Sequence, residues 1–568
     1  MEKLGFNKAE NFLLKVFEER KVPGASVAFV SGEDIIWSKG FGYSNLEEKT
    51  QTTPETVFRV ASVSKPVIAT ALLQWMDRGM FHLDDSVKGL MEEVQIRTEY
   101  EQPTVRNLLT HTSGFPVHVD PTCFELSETV TLEDMINESA ITVHPPNQEI
   151  VYSNTAFNII GYLVGLFADM PYPRYLKEGL FKPLKMDSSS FEQTNRIRKM
   201  MAQPYSRKKK SGSPIEAVKP WYGGSMPEKP CGSLFTTATD LGNFMIAQIN
   251  SGLYRGNRIL KAETMKEMHR LQASAGNSRS GYALSWKRNW HYGNLMLSHT
   301  GGNLGWTAHF AFYPELKIGV IILCNLNDNS GWRPPARETL HLLVGGTLSF
   351  DPETTRMKET PEIWDKLKGR YDKQFQEAEI SIDEENLVLR KEKEKSYLED
   401  YGNERYILHG GGSDGMELTF EFDGEGFAKQ FDLEAQMFLR FHKDTRSINK
   451  FAKLEGVWQG IYVHPYGQFK MELEIRSGTV ASVTNMTGNR VSISNFKAEQ
   501  GHATGNFRFK NLPRYIGWGA KEMEAELKLA VIEDVLEGRM TFKSDIGKSI
   551  VPLALSRTRN TPQTLKRG

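Results

Sequence analysis

Only three of the 568 residues are cysteine, and Cys123, Cys231 and Cys324 stand about a hundred positions apart with no CxxC pair. An odd total without paired spacing encodes neither a zinc ribbon nor a disulfide framework, and it suits a reducing compartment. Net charge is also missing, since 70 Lys and Arg balance 70 Asp and Glu. That balance leaves no general pull toward nucleic acid or an anionic membrane. The sole basic run, Arg207-Lys-Lys-Lys210, is followed by Ser-Gly-Ser-Pro and reads as a solvated loop, so no nucleic-acid partner is expected. No apolar run approaches the roughly 20 residues that span a bilayer. The most apolar stretch, Ala156 to Ala168, contains Asn158 and reads as a buried helix. Charge interrupts the N-terminus every few residues, whereas a signal peptide needs an apolar core of about 7–15 residues. The expectation is an unexported, cytoplasmic protein with no membrane contact. No H-E-x-x-H or comparable ligand spacing and no Walker-type glycine loop occur, so neither a metal nor another cofactor is expected.

What is present is globular: 39% hydrophobic and 25% charged residues exclude disorder as the overall state. The length exceeds one ordinary core and predicts about two to four domains. Ala25-Ser-Val-Ala-Phe-Val and Ile35-Ile-Trp-Ser-Lys flank Ser31-Gly-Glu-Asp as a hairpin would, and Ile318 to Cys324 is apolar enough for a central strand. Val67, Ile68, Ala71, Leu72, Trp75 and Met76 recur at three- and four-residue spacing, predicting an amphipathic helix from Lys65 to about Arg78. Strands at both ends of a region with helices between them predict an α+β domain over 1–350, an antiparallel sheet flanked by helices. The polar segment Asp351–Pro361 reads as a linker, and a second break falls near Lys443–Lys453. Similar openings, Leu367-Lys-Gly-Arg-Tyr371 and Leu454-Glu-Gly-Val-Trp-Gln-Gly-Ile-Tyr462, head two strand-rich stretches. They predict two small antiparallel β-barrel domains, over 362–448 and 452–560.

The chemistry gathers in three places. Ser62-Val-Ser-Lys65 stands at the start of the expected helix, and three residues are almost one turn, so Ser62 and Lys65 share a face. A serine hydroxyl needs a base to become a nucleophile, and a buried lysine with a lowered pKa can serve. Capping of the helix by Ser62 or Ser64 is the simpler alternative. Tyr152-Ser-Asn154 precedes the buried helix, and alternate residues of an extended strand or turn can enter one site together. A phenol beside a cationic lysine ionises more easily and can shuttle protons. Ser298-His299-Thr-Gly301-Gly302 reads as a short strand running into a glycine-rich turn, with a further strand near Ala308 to Tyr313. There an N–H of Gly302 could join that of Ser62 as an oxyanion hole. Taken singly, His299 reads as a hydrogen-bonded structural histidine.

Together these motifs resemble the serine β-lactamase and penicillin-binding protein superfamily, in its class C-like branch, with S-x-x-K as Ser62 to Lys65, Tyr-x-Asn as Tyr152 to Asn154, and His299-Thr-Gly301 at the K-T-G strand. Supporting segments lie in the family's order, among them Val105-Arg-Asn-Leu-Leu-Thr-His111-Thr-Ser-Gly114 and Cys231-Gly-Ser-Leu-Phe-Thr-Thr-Ala-Thr-Asp240. The resemblance implies catalysis through an acyl-enzyme on Ser62, with Lys65 its base partner and Tyr152 a second proton-transfer group. It also implies Asn154 as a ligand of substrate and lysine, and His299, Gly301 and Gly302 as the substrate-binding strand.

Histidine at position 299, where β-lactamases and DD-peptidases carry lysine, weakens the anchor for a substrate carboxylate. The pattern is similar to D-aminopeptidases of the superfamily, which also carry two C-terminal β-barrels and send a loop of the last one to the active-site mouth. Here that loop would fall within Gly488 to Gly519. The favoured reading is therefore a D-aminopeptidase-like amidase acting on a small peptide or amide. A carboxylesterase of the same branch, with an acyl pocket involving Trp221, Tyr222 and Trp306, is the alternative. A β-lactamase, a DD-peptidase or a non-catalytic peptide-binding relative ranks lower, and assembly into oligomers stays open. A further departure, Asn147 where the family has glycine, is expected to alter only a turn.

Overall fold

The computed structural model describes residues 5–115 except 92, 93 and 99; 131–207 except 141, 143, 144 and 149; and 214–218. It further describes 230–348 except 275–278, 304 and 328–333; 361–441 except 374, 375, 392, 393, 403, 404, 423, 425, 434 and 435; and the strands between 456 and 557. The chain divides into two compact units, one of Met1–Phe115, Leu126–Phe350 and Asp414–Glu417, the other of the remainder.

A nine-stranded sheet organises the first unit, in the spatial order Ala273–Ser274, Gly281–Tyr282, Lys287–His291, Asn294–Asn303, Trp306–Tyr313, Ile318–Cys324, Gly24–Ser31, Asp34–Asn45, Thr50–Gln51. Neighbouring strands run antiparallel, with Ala28 opposite Ile321 and Ser38. The expected hairpin is present, and Ile318–Cys324 lies in the sheet's interior, buried along its whole length. Its apolar run has a physical cause, because successive side chains point to opposite faces and both faces are covered. The helix Ala238–Ile249 packs on Gly24–Ser31 and Ile318–Cys324, and Gly242 approaches the Val30 side chain. Phe29, next in line, points the other way, stacks on Trp37 at 4.4 Å and meets Phe6 of the helix Phe6–Glu19 edge-on at 6.0 Å. That helix packs in turn on Ala336–Leu343.

The helix after the nucleophile motif runs from Ser64 to Asp77. It is not amphipathic: every residue from Ser64 to Gln74 is buried. The helix Asn154–Ala168 packs along it, and the turn at its head lies against the strand Asn294–Asn303. The three- and four-residue spacing was the correct sign of a helix, but the helix has no solvent face, so polar Thr70 and Gln74 bond inside the core instead.

The second unit begins with a closed antiparallel barrel of eight strands, from Gly369–Lys373 to Gln436–Phe441, each pairing with its chain neighbour and the first with the last. Closure removes every open strand edge. Tyr371, Phe420 and Phe431 pack in its interior, and the Tyr371 hydroxyl donates to the Leu367 carbonyl at 2.6 Å. Beyond it, nine antiparallel strands from Gly456–His464 to Gly547–Arg557 form one sheet in which the first and last strands pair. The two similar sequence openings thus each start a strand set. The expected linker, apart from Pro361, and the expected break at 443–453 lie outside the described residues.

Candidate active site

The motif Ser62-Val-Ser-Lys65 folds as a single 3-10 turn, Ala61–Val63, running straight into the helix Ser64–Asp77. Main-chain pairing of Phe58 and Arg59 with Thr236 and Phe235, and a bond from the Val60 N–H to the Leu234 carbonyl at 3.0 Å, fix the approach. Ala61 adopts φ +45°, a left-handed conformation that a residue with a Cβ holds at a cost. The two serines then divide their roles. Ser64 is buried, donates to the Ala61 carbonyl at 2.6 Å and accepts the Leu234 N–H at 3.1 Å, so it is the structural one. Ser62 is partly exposed, where a substrate can reach it.

Lys65 is 0% exposed, and its Nζ lies 3.1 Å from Ser62 Oγ, 2.6 Å from Asn154 Oδ1 and 2.8 Å from the Cys231 carbonyl oxygen. No carboxylate is among these partners. Burial therefore prevails and brings the ammonium down from 10.5 to about 8, with Cys231 opposing in part. About a tenth of the amine is then neutral at pH 7, 3.1 Å from the hydroxyl whose proton it would take.

Ser153, itself extended, caps the helix Asn154–Ala168, its side chain accepting the Ala156 N–H at 3.2 Å, so Tyr-x-Asn straddles a helix start. The geometry delivers both side chains to Lys65, Asn154 by its hydrogen bond and Tyr152 with its ring centroid 4.8 Å from Nζ. The Tyr152 ring also packs 4.3 Å from the ring of His111 and 6.3 Å from that of His299.

His299, Gly301 and Gly302 lie on the strand Asn294–Asn303, opposite Phe310, Ala308 and Thr307. The glycines are thus part of the strand and not of a turn, and the reason at Gly301 is contact. A Cβ there would stand 2.0 Å from the Val60 carbonyl oxygen and 3.2 Å from the Ser62 nitrogen. His299 is buried, its Nδ1 donates to the Thr300 carbonyl at 2.8 Å, and burial with Lys65 nearby lowers its pKa to about 3. At neutral pH it is an uncharged imidazole.

All seven residues singled out from the sequence belong to the first unit. Ser62, Lys65, Tyr152, Asn154, His299 and Gly301 are linked by these contacts, and Gly302 is the next residue along the same strand. Sequence reasoning passed over two contributors. One is the Cys231 carbonyl, and the other is His111; neither had been given a role in the site. Trp306, expected in an acyl pocket, is instead 2% exposed, while Trp221, Tyr222 and Cys123 lie outside the described residues, as does part of the expected loop within 488–519. Among the described residues no cluster of three or more His, Cys, Asp or Glu could hold a metal ion. None of their helices is long and apolar enough to cross a membrane.

The Beta-lactamase family model matches residues 9–343. Protein flp of Staphylococcus aureus is 25% identical over 312 residues, which are 54% of this chain and 60% of that protein, so the chain spans less than two thirds of this curated relative. An octameric penicillin-binding protein homologue from Pyrococcus abyssi superposes with a TM-score of 0.52 at 24% identity, over 77% of this chain and 100% of its own. D-amino acid amidase from Ochrobactrum anthropi SV3, complexed with L-phenylalanine, gives 0.50 at 20% identity, over 60% and 98%. At such identities the two structures show a shared fold.

Proposed function

Because the chain belongs to the Beta-lactamase family, a fold family mostly of serine hydrolases, we propose that it cleaves amide or peptide bonds through an acyl-enzyme on Ser62, in the manner of a D-aminopeptidase. The observation that carries this reading is the buried Lys65 amine, brought down to about 8 and 3.1 Å from Ser62 Oγ. Ser62 Oγ attacks the substrate carbonyl as its proton passes to the Lys65/Tyr152 pair. The oxyanion forms beside the N–H groups of Ser62 and Gly302. The pair then protonates the leaving amine; in the second half it takes a proton from the water that attacks the acyl carbon and returns it to Ser62 Oγ as the acyl–oxygen bond breaks and the acid leaves. The base role is assigned to Lys65 and Tyr152 together.

His299 supports an amide without a carboxylate beside that strand. A neutral imidazole offers no fixed positive charge to an anion, whereas a lysine would. The D-amino acid amidase that shares this fold is in keeping with such a substrate.

Initial rates on D-alanyl p-nitroanilide and its N-acetylated counterpart, with Ser62→Ala as the blank, test the proposal. Preference for the free amine is expected. Inactivity on both, with Ser62-dependent hydrolysis of p-nitrophenyl butyrate, would replace the aminopeptidase by an esterase.

A further inference from the structure

We propose that His111 is the positioning residue for Tyr152, holding its phenol beside Lys65; this rests on the acyl-transfer reading of Ser62. The residues on either side of Tyr152 are both tied to this one histidine. The Val151 N–H donates to the His111 carbonyl at 2.8 Å, and the Ser153 N–H donates to His111 Nδ1 at 3.1 Å. Between those two clamps the imidazole lies against the phenol, ring centroids 4.3 Å apart and tilted by 35°. On its other sides the imidazole meets Phe157 at 5.1 Å and, edge to face, Tyr282 at 5.0 Å. Tyr152 is thus fixed through main chain and ring at once.

His111 is itself over-determined. It is fully buried and holds φ +60°, a left-handed conformation. Asn147, also left-handed at φ +66°, secures the turn. Its side-chain oxygen accepts from Asn107 Nδ2 at 2.6 Å, and its N–H donates to the Thr112 carbonyl at 2.9 Å. The departure from glycine at Asn147 is therefore part of the support for His111.

The hydrogen bonds also fix the tautomer. Nδ1 accepts a main-chain N–H and cannot carry a proton, so the neutral ring holds its proton on Nε2. Burial first, and then the positive charges of Lys65 and Lys287, keep the ring neutral, its pKa well below the usual range. Nε2 is buried with no hydrogen-bond partner among the described residues. A side chain serving only to fill space would not carry that cost; phenylalanine would fill it without one. What histidine supplies, and phenylalanine lacks, is an acceptor for the Ser153 N–H on a flat ring that can pack on Tyr152.

Two variants of the full chain separate these contributions. His111→Asn keeps an acceptor and tolerates φ > 0 but removes the ring, and His111→Phe keeps a ring but removes the acceptor. With p-nitrophenyl butyrate, each is expected to lower kcat by about tenfold or more, with KM changed by less than about threefold, and to move the kcat–pH limb by about half a pH unit or more. Combined with Tyr152→Phe, each should add less than about a twofold further loss, because both changes act through one phenol. A folded His111 variant with wild-type kcat and pH profile, or losses that multiply with Tyr152→Phe, would overturn the role. If the wild type shows no Ser62-dependent turnover, the acyl-transfer reading fails by itself. The phenol then decides on His111: the 13Cζ resonance of Tyr152, assigned by its loss in Tyr152→Phe, should titrate at a shifted pH in His111→Asn, and an unshifted titration contradicts the proposal.

Discussion

At the scale of single residues, the site depends on a lysine stripped of water and given no anion in return. Its three polar partners are a hydroxyl, an amide oxygen and a main-chain carbonyl, each able to orient the amine but none able to hold it charged against full burial. A pH dependence follows. The reactive form is the neutral amine, so kcat/KM should fall about tenfold per pH unit below the apparent pKa near 8 and level off above it. A flat kcat/KM between pH 6 and 9 would remove Lys65 from the base pair. The same group affects stability with a definite sign. Its folded pKa lies below its unfolded one, so between about 8 and 10.5 the unfolded chain binds more protons, and this lysine makes the fold more stable as pH rises through that window.

At the scale of elements, the nucleophile turn, the strand Asn294–Asn303 and the Asn154–Ala168 helix head must meet without intervening side chains. Gly301→Ala tests that closeness, since the new Cβ would meet main-chain atoms of Val60 and Ser62, which cannot swing aside like a side-chain tip. A destabilisation of about 1–3 kcal/mol is expected, together with loss of Ser62 reactivity, read by urea titration and a serine-directed fluorophosphonate. Unchanged labelling would mean that the strand is not held against the nucleophile. These elements were legible in the sequence to different degrees. Local periodicity located the Ala25–Lys39 hairpin, the Ile318–Cys324 strand and the helix after Ser62, because each is set by side-chain alternation or turn chemistry within a few residues. The same periodicity missed that this helix is enclosed on all sides, and it assigned Gly301 to a turn. Both errors concern what packs against an element from far along the chain. The contact from Ser153 to His111 spans 42 residues and that from Lys65 to Cys231 spans 166, and nothing local announces either.

At the scale of the whole molecule, burying neutral histidines makes the fold acid-sensitive. His111, His269 and His299 titrate far below 6.5 when folded, so near pH 5 the unfolded chain binds about three protons that the fold refuses, and His341 is lowered in the same direction. Asp240 works the other way: burial raises its carboxyl to about 6, so the folded chain binds a proton there that the unfolded chain releases. Three against one leaves about two protons in favour of unfolding, or about 2.7 kcal/mol of stability lost per pH unit near pH 5. The urea midpoint should therefore drop between pH 6 and 5, and His299→Gln should reduce the slope. A midpoint that rises on acidification would show that Asp240 prevails. The proposed chemistry depends on one covalent bond. Intact-mass analysis after brief exposure to a p-nitrophenyl ester, followed by peptide mapping, tests it most directly. An acyl adduct on Ser62 in the wild type and none in Ser62→Ala is the predicted result; an adduct that persists in a folded Ser62→Ala chain, or that maps to another residue, would contradict it.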